Sequence, residues 1–400
     1  MAKPMNKIDK LIAELCPNGV EYKELGEVGK VSMCKRIFKN ETSSSGQIPF
    51  YKIGTFGKLP DAFIPEQIFN DYRNKFSFPN KGDVLLSASG TIGRRVIYDG
   101  EPAYFQDSNI IWLEHDESTI LNKFLYHFYA IVKWQTEGGT IQRLYNDNFK
   151  KILVPIPPLA IQQEIVKILD TFTTLEAELE AELEARKKQY EYYRDELLTF
   201  GEDVEWKKLG EVGTLIRGNG LQKKDFVEEG VGCIHYGQIY TYYGTYADKT
   251  KTFVSSKLAK KLKKAQRGDV LISGVSENIE DVCKPLGWLG GEICISGDMF
   301  AFRHNQNTKF ITYLLQTTNF KRYKERFAHG AKVIRVKQDK ILDYKIPIPP
   351  LAEQERIVAI LDKFDALVND ISVGLPAELN ARRKQYEHYR NKLLSFREYE

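Results

Sequence analysis

The chain is written twice, and that duplication limits its fold more than any other feature. "VEYKELGEVG" at residues 20–29 returns as "VEWKKLGEVG" at 204–213, and "KGDVLLS" at 81–87 returns as "RGDVLIS" at 267–273. "PIPPLAIQQEIVKILDTF" at 155–172 returns as "PIPPLAEQERIVAILDKF" at 347–364, and "RKKQYEYYRDELLTF" at 186–200 returns as "RRKQYEHYRNKLLSF" at 382–396. The offset drifts from 184 through 186 and 192 to 196 while the order is kept, which marks a tandem repeat of roughly 190 residues. Each copy is long enough to bury a core of its own.

The two parts of each copy differ in character. The first is rich in glycine, aromatic and β-branched residues, with short apolar runs such as "GDVLLS", "RRVIY" and "NIIWL" between turn signals, and reads as an α/β globule. The second opens on a diproline, Pro157-Pro158 or Pro349-Pro350. In the first copy it then runs some forty residues without glycine or proline, carrying Ile161, Ile165, Ile168, Leu169, Phe172, Leu175 and Leu179 at helical spacing. A helix of that length measures about 60 Å and cannot bury its stripe alone. Its duplicate is the nearest partner. The expected architecture is α+β, with two α/β domains (residues 1–154 and 201–346) separated by a pair of long antiparallel helices (residues 155–200 and 347–400) around a pseudo-two-fold repeat.

Within the first long helix, "LEAELEAELEAR" repeats one four-residue word. From the shared Phe to the shared Arg the first copy spans 14 residues (172 to 186) and the second 18 (364 to 382), a difference of one tetrad. One tetrad adds about 6 Å and about 40° beyond a full turn, so the word acts as a spacer. In the second copy "ISVGLPAEL" puts Gly374 and Pro376 at the corresponding place, and the helix is expected to kink or break there.

Five cysteines form no CxxC pair and no zinc spacing, which fits reduced packing thiols. The first fifteen residues lack an apolar signal core and no apolar run reaches membrane-span length, so a soluble, cytoplasmic protein is expected. Net charge is only +4, but residues 248–269 and 321–340 are strongly basic. Lysines 257, 260, 261, 263 and 264 are expected on an amphipathic helix with Leu258 and Leu262 facing in, a solvated face that could also meet phosphate.

A duplicated α/β domain followed by "PIPPLAxQxxIVxILDxF" and "R(K/R)KQYExYRxxLLxF" resembles the specificity subunit of type I restriction-modification systems, over essentially the whole chain. "KGDVLLSASGTIG" and "GGTIQRLYNDNFKKILVPIPPLA" resemble the landmarks that bracket the family's target recognition domains, and in the second copy "VSENIEDV" replaces "SGTIGRRV". The resemblance implies a non-catalytic adaptor that reads a bipartite, asymmetric double-stranded DNA target, one half per domain. It also implies two docked modification subunits that use S-adenosylmethionine to methylate adenine, and restriction subunits that use ATP and Mg, with no cofactor in this chain and no membrane partner.

Readers of base edges and phosphates are Arg, Lys, Asn, Gln, Ser, Thr and aromatic residues. In the first domain the candidates are Lys35, Arg36, Tyr51, Lys52, Ser87, Ser89, Thr91, Arg94, Arg95, Gln142 and Arg143. The "SASGTIGRR" loop among them also reads as a plain tight turn. In the second domain they are Arg217, His235, Tyr236, Gln238, Ser276, Asn278, Lys332 and Arg335, where His235 and the tyrosine read equally as packing residues. No (D/N)PP(Y/F) tetrapeptide, phosphate loop or His/Cys cluster points to catalysis in the chain itself. The rival readings are a self-contained DNA methyltransferase or nuclease, and a coiled-coil protein adaptor that binds no DNA.

Overall fold

A computed structural model describes residues 7–139, 142–370 and 372–399. Residues 1–6 of the first segment, Thr140 and Ile141 of "TIQRL", Ile371 of "ISVGLPAEL" and Glu400 lie outside the described residues. The chain forms two compact units, Met1–Ala177 with Arg382–Glu400, and Glu178–Ala381. These cut across the four consecutive segments read from the sequence: each long helical segment contributes to both units.

In the first unit a four-stranded antiparallel sheet runs in the order Lys30–Ser32, Ile110–Glu114, Val84–Ser87, Arg95–Ile97. Its central strands are the apolar runs of the sequence, and both faces are covered. Val84, Leu86, Ile111 and Leu113 point into a core shared with Phe124, Phe149, Ile161, Ile165 and Leu169. The alternate residues Leu85, Ile110 and Trp112 point into a second core with Tyr104 and Phe56. A strand buried on both faces loses polar alternation, which explains why "VLLS" and "IIWL" are continuous hydrophobic words.

The second unit repeats the plan. Val270 and Ile272 enter one core and Leu271 another, within a five-stranded sheet ordered Gly213–Arg217, Met299–His304, Val270–Ser273, Pro285–Trp288, Tyr246–Ala247. A second five-stranded sheet carries Phe226–Val227, Thr252–Val254, Val231–Ile234, Ile293–Ile295 and Lys264–Ala265. Each unit also closes its beginning against its end. Glu21–Glu24 pairs antiparallel with Leu153–Ile156, and Trp206–Lys208 pairs with Lys345–Pro347.

The helix of the first copy is one element, Leu159–Leu197, 39 residues long. The helix of the second copy is broken into Leu375–Leu393 and Leu351–Asn369, with Gly374 in the break and Pro376 in the first turn after it, as the sequence predicts. Helices pair antiparallel inside each unit. In the first, Phe172 stacks on Tyr389 (ring centroids 5.5 Å, 22°) and Glu176 accepts from Arg383 at 2.6 Å. In the second, the repeat-related Phe364 stacks on Tyr193 (5.7 Å, 27°).

Two repeated side chains fasten each helix to its globule. Gln162 is fully buried. Its carbonyl accepts the Leu121 amide (2.9 Å) and its amide donates to the Thr119 and Pro157 carbonyls (2.9 and 2.8 Å). Gln354 does the same with the Asn307 amide, the Gln306 side chain and the Pro349 carbonyl. Two turns on, Asp170 binds Lys123 (2.6 Å) and His127 (2.9 Å), while Asp362 binds Lys309 (2.6 Å) and Tyr313 (2.7 Å). Burial opposes the Asp170 charge, but its bonds from Lys123 and His127 outweigh that and hold the carboxyl below its usual range.

The chain end returns to the beginning of the first copy, where the Val20 amide donates to the Arg397 carbonyl (2.8 Å) and the Tyr399 amide to the Val20 carbonyl (2.9 Å). Among the described residues no helix is long and apolar enough to cross a membrane, and all five cysteines are free thiols. The lysine-rich segment corrects one expectation. Its helix is a single turn, Ser256–Ala259, capped by Ser255, and the chain then enters the strand Lys264–Ala265 with Lys264 paired to Glu292 (2.6 Å). The need to pair Ala265 with Ile293 in the sheet overrides the helical spacing.

Two outcomes follow. Gln162→Leu leaves three backbone groups without partners and should cost about 3 kcal/mol in the urea unfolding of the first unit. Gln354→Leu strips partners from two backbone groups and the Gln306 side chain and should cost a similar amount in the second. Burial also pulls His127, His235 and His304 below the ordinary histidine value of 6.5, His304 to about 4. The unfolded chain therefore takes up protons first, so stability is full above pH 6.5 and falls as the pH drops toward 4. Between pH 7 and 5 the His304 share is about 2 kcal/mol, and a His304→Asn chain should show an acid limb shallower by that amount in denaturant titrations.

Candidate nucleic-acid interface

The loop after Val84–Ser87 is closed by a serine. The Ser87 hydroxyl, fully buried, donates to the Thr91 carbonyl (2.5 Å) and accepts the Arg94 amide (2.9 Å). Gly93 takes φ +85°, and a Cβ there would stand 2.3 Å from Trp134 Nε1, so only glycine lets the loop lie against that ring. In the second unit Ser273 repeats the clamp. Its hydroxyl donates to the Asp281 carbonyl (3.1 Å) and accepts the Lys284 amide (3.0 Å), spanning a loop four residues longer (273 to 284 against 87 to 94).

A second hairpin lies beside each loop. Ser89 bridges Arg143, which also bridges Glu137. In the other copy, Val275–Ser276 pairs with Ile334–Arg335, and Arg335 also bridges His329. Arg143 and Arg335 therefore hold matching registers, at the offset of 192 seen in the neighbouring repeat. In the first unit this arrangement gathers Ser89, whose hydroxyl donates to Asn109 Oδ1 (2.7 Å), and Arg143, whose Nη2 donates to the same oxygen (3.2 Å). Gln142 stands alongside, accepting from Thr136 (2.9 Å) and donating to the Gly138 carbonyl (2.9 Å). Asn109 was not among the candidates. It follows Ser108, whose φ of +52° turns the chain back on itself, and nothing local in "QDSNI" marks it as more than a turn residue.

In the second unit a small cavity of about 180 Å³ is lined by Arg217, His329, Arg335, Lys337, Gln338 and Asp298, with the Arg217 Nε donating to the Gly297 carbonyl (3.2 Å). Lys332 is exposed on the hairpin turn that precedes Arg335. Ser276 is buried and accepts the Asn278 amide (3.2 Å), while the Asn278 side chain is tied to Asp281 at 2.8 and 2.9 Å.

Other candidates spend their groups inside the protein. His235 caps the helix Tyr236–Thr241, its Nδ1 accepting the Gly237 amide, and Gln238 completes the box by accepting the His235 amide (2.9 Å). Burial, helped by Lys223, holds the His235 ring below its ordinary value. The Tyr236 ring lies 4.4 Å from that of His235. Arg94 donates to the Phe56 carbonyl (2.9 Å), and Arg95 lies over the Tyr126 ring (4.7 Å). Lys35, Arg36, Tyr51 and Lys52 are each partnered within the first unit. Arg36 pairs with Asp107 (2.8 Å), Lys52 with Asp61 (2.9 Å), Tyr51 stacks on Phe105 (5.8 Å), and Lys35 lies over Phe76 (5.1 Å). Among the described residues no group of three His, Cys, Asp or Glu side chains could hold a metal ion.

Comparison with known proteins agrees with this duplicated plan. The family model of the type I restriction modification DNA specificity domain matches twice, at residues 17–185 and 201–381. The EcoR124I/EcoR124II specificity subunit of Escherichia coli is 36% identical over 294 residues, covering 70% of this chain and 72% of the relative. A Haemophilus influenzae specificity subunit, S.HindORF215P, is 62% identical over 182 residues, but this match covers 44% of the chain and 47% of that relative. Among solved structures, the S subunit of a type I system from M. genitalium matches with a TM-score of 0.52 at 15% identity, over 94% of this chain and 96% of that one. A chain from a study of complex assembly and conformational transition in the type I system matches at 0.60 and 17%, over 94% and 98%. With two family domains filling most of its length on a shared fold, the chain belongs to the specificity subunits of type I restriction-modification systems.

Proposed function

We propose that each α/β unit reads one half of a bipartite, asymmetric duplex DNA target in the cytoplasm, and that the helices receive two modification subunits, to which restriction subunits attach. The observation that carries this reading is the repeated hairpin. Two arginines at matching register, Arg143 and Arg335, each stand beside a serine-clamped loop whose length and composition differ between the copies. A constant frame supporting a variable loop suits two readers of different words, since arginine on guanine O6 and N7 is the commonest specific contact. The chain contributes recognition. S-adenosylmethionine, ATP and Mg belong to the partners, whose modification subunits methylate adenine.

The 39-residue helix, about 58 Å at 1.5 Å per residue, would fix the half-site separation. Its tetrad repeat gives a direct test. Inserting one "LEAE" after Glu182 should keep both half-site words and lengthen the spacer by about two base pairs, given about 6 Å of added helix and 3.4 Å of rise per pair. Genome-wide methylation mapping with the modification subunit present reads both, and an unchanged spacer would refute the ruler. In the same assay Arg143→Ala should relax discrimination at one half-site and Arg335→Ala at the other, each by about 1–3 kcal/mol. Loss at both halves from either substitution would contradict separate readers.

A further inference from the structure

Asn109 and Asp298 hold one place in the two units. Ser87 pairs with Ile110 and Ser273 with Met299, so the residues just before those two strands correspond. Their backbones do the same work, since the Asn109 carbonyl accepts the Ala88 amide and the Asp298 carbonyl the Gly274 amide, both at 2.7 Å. Their side chains do not. Among the described residues the Asp298 carboxylate takes no hydrogen bond, and Val275 brings no hydroxyl to the place that Ser89 holds in the first unit. The turn is therefore built without help from this side chain, and what Asn109 adds in the first unit is something other than the shape of the loop.

It adds a hold on Arg143. Asn109 Oδ1 accepts from Ser89 Oγ (2.7 Å) and from Arg143 Nη2 (3.2 Å). A guanidinium only donates, so the atom that faces it is the amide oxygen, and both lone pairs of that oxygen are then used. Arg143 is exposed, and among the described residues it pairs with no carboxylate. Glu137, which it bridges through the backbone, gives its own carboxylate to the Asn148 amide (3.0 Å). A neutral anchor of this kind takes one N–H of the guanidinium and none of its charge. The rest of the fork can still meet a base edge with two parallel bonds.

A carboxylate in place of the amide would act differently, closing on the guanidinium with two bonds and cancelling its charge. The second unit has the carboxylate and a further cation with it. Arg217 falls where the first copy has Met33, at the offset of 184, and lines the same small cavity as Asp298 and Arg335. The two exchanges cancel in charge, so a cation is left over in either unit. We propose that Asn109 is the positioning residue of the first reader: by one neutral hydrogen bond it aims Arg143 at a guanine edge in the major groove and leaves the charge and the remaining donors of the guanidinium free. This role rests on the reading of one half-site by Arg143 proposed above, and it gives that reading its geometry. The side chain that sets the arginine differs between the copies while the backbone around it is kept, as a place that helps to choose the word requires.

The test uses the full chain with its modification subunit, and duplexes that carry either the mapped target or a single changed base pair within it. Asn109→Ala should lower the preference for the natural base pair about tenfold at one position, the position that Arg143→Ala relaxes, and leave the other half-site unchanged. In the Arg143→Ala background the same substitution should do nothing further to that preference, because a positioning residue then has nothing to aim. Asn109→Asp should lose the same preference, and the slope of log affinity against log salt should fall by about one as the carboxylate neutralises a cation at the DNA surface. If Asn109→Ala spares a preference that Arg143→Ala abolishes, the positioning role is overturned and the reader stands. An equal loss in both backgrounds also overturns it, since Asn109 would then be a prop of the loop or a reader in its own right. If Arg143→Ala itself changes nothing, the reader fails and the positioning role with it.

Discussion

A buried glutamine at the start of each long helix is the tie on which the rest of the structure depends. A helix leaving a globule after a diproline could point anywhere. Gln162 and Gln354 remove that freedom by joining the helix to carbonyls and amides of the loops that precede it, from positions with no access to water. Replacing water on three groups at once makes the joint all-or-none, because a helix tilted away leaves every one of them unpaired in the interior. The aspartates two turns later, Asp170 and Asp362, repeat the device with charge.

The frame is kept while its contents change. Ser87 and Ser273 clamp their loops through the same pair of bonds, yet the first loop is held by glycine against Trp134. The second is held by Lys324, 4% exposed, whose ammonium donates to the Glu280 and Val282 carbonyls at 2.5 and 2.6 Å. Burial pulls the Lys324 ammonium below the usual lysine range, and the two carbonyls compensate in part for its lost water. Different loops on one scaffold are what the proposed reading of two different DNA words requires. The same divergence on the helices turns Asp195 into Asn391.

Much of this was legible in the residues. The duplication, the helix of about forty residues, the break at Gly374 and Pro376, and the strands "VLLS" and "IIWL" follow from periodicity, backbone chemistry and double-sided burial. Single polar residues were less legible. His235 and Gln238 belong to a helix cap, and Ser87 is sealed in a turn, because short polar side chains serve backbone groups and ligands with the same atoms. Asn109 could not be found at all, since its neighbours Ser89 and Arg143 lie 20 and 34 residues away along the chain.

The sequence by itself determined that there are two similar α/β domains and two helical segments, because repetition and apolar spacing are local properties that survive without knowledge of contacts. Only the tertiary structure decided which helix half belongs to which globule. Tyr386 and Leu394 are buried in the first unit with Ile165 and Leu169, far from their own copy's sheet in sequence, and the chain end pairs with Val20. Such exchanges are chosen by which apolar faces meet once the chain has closed on itself, and the free energy of that meeting resides in pairs of residues that no stretch of sequence contains together.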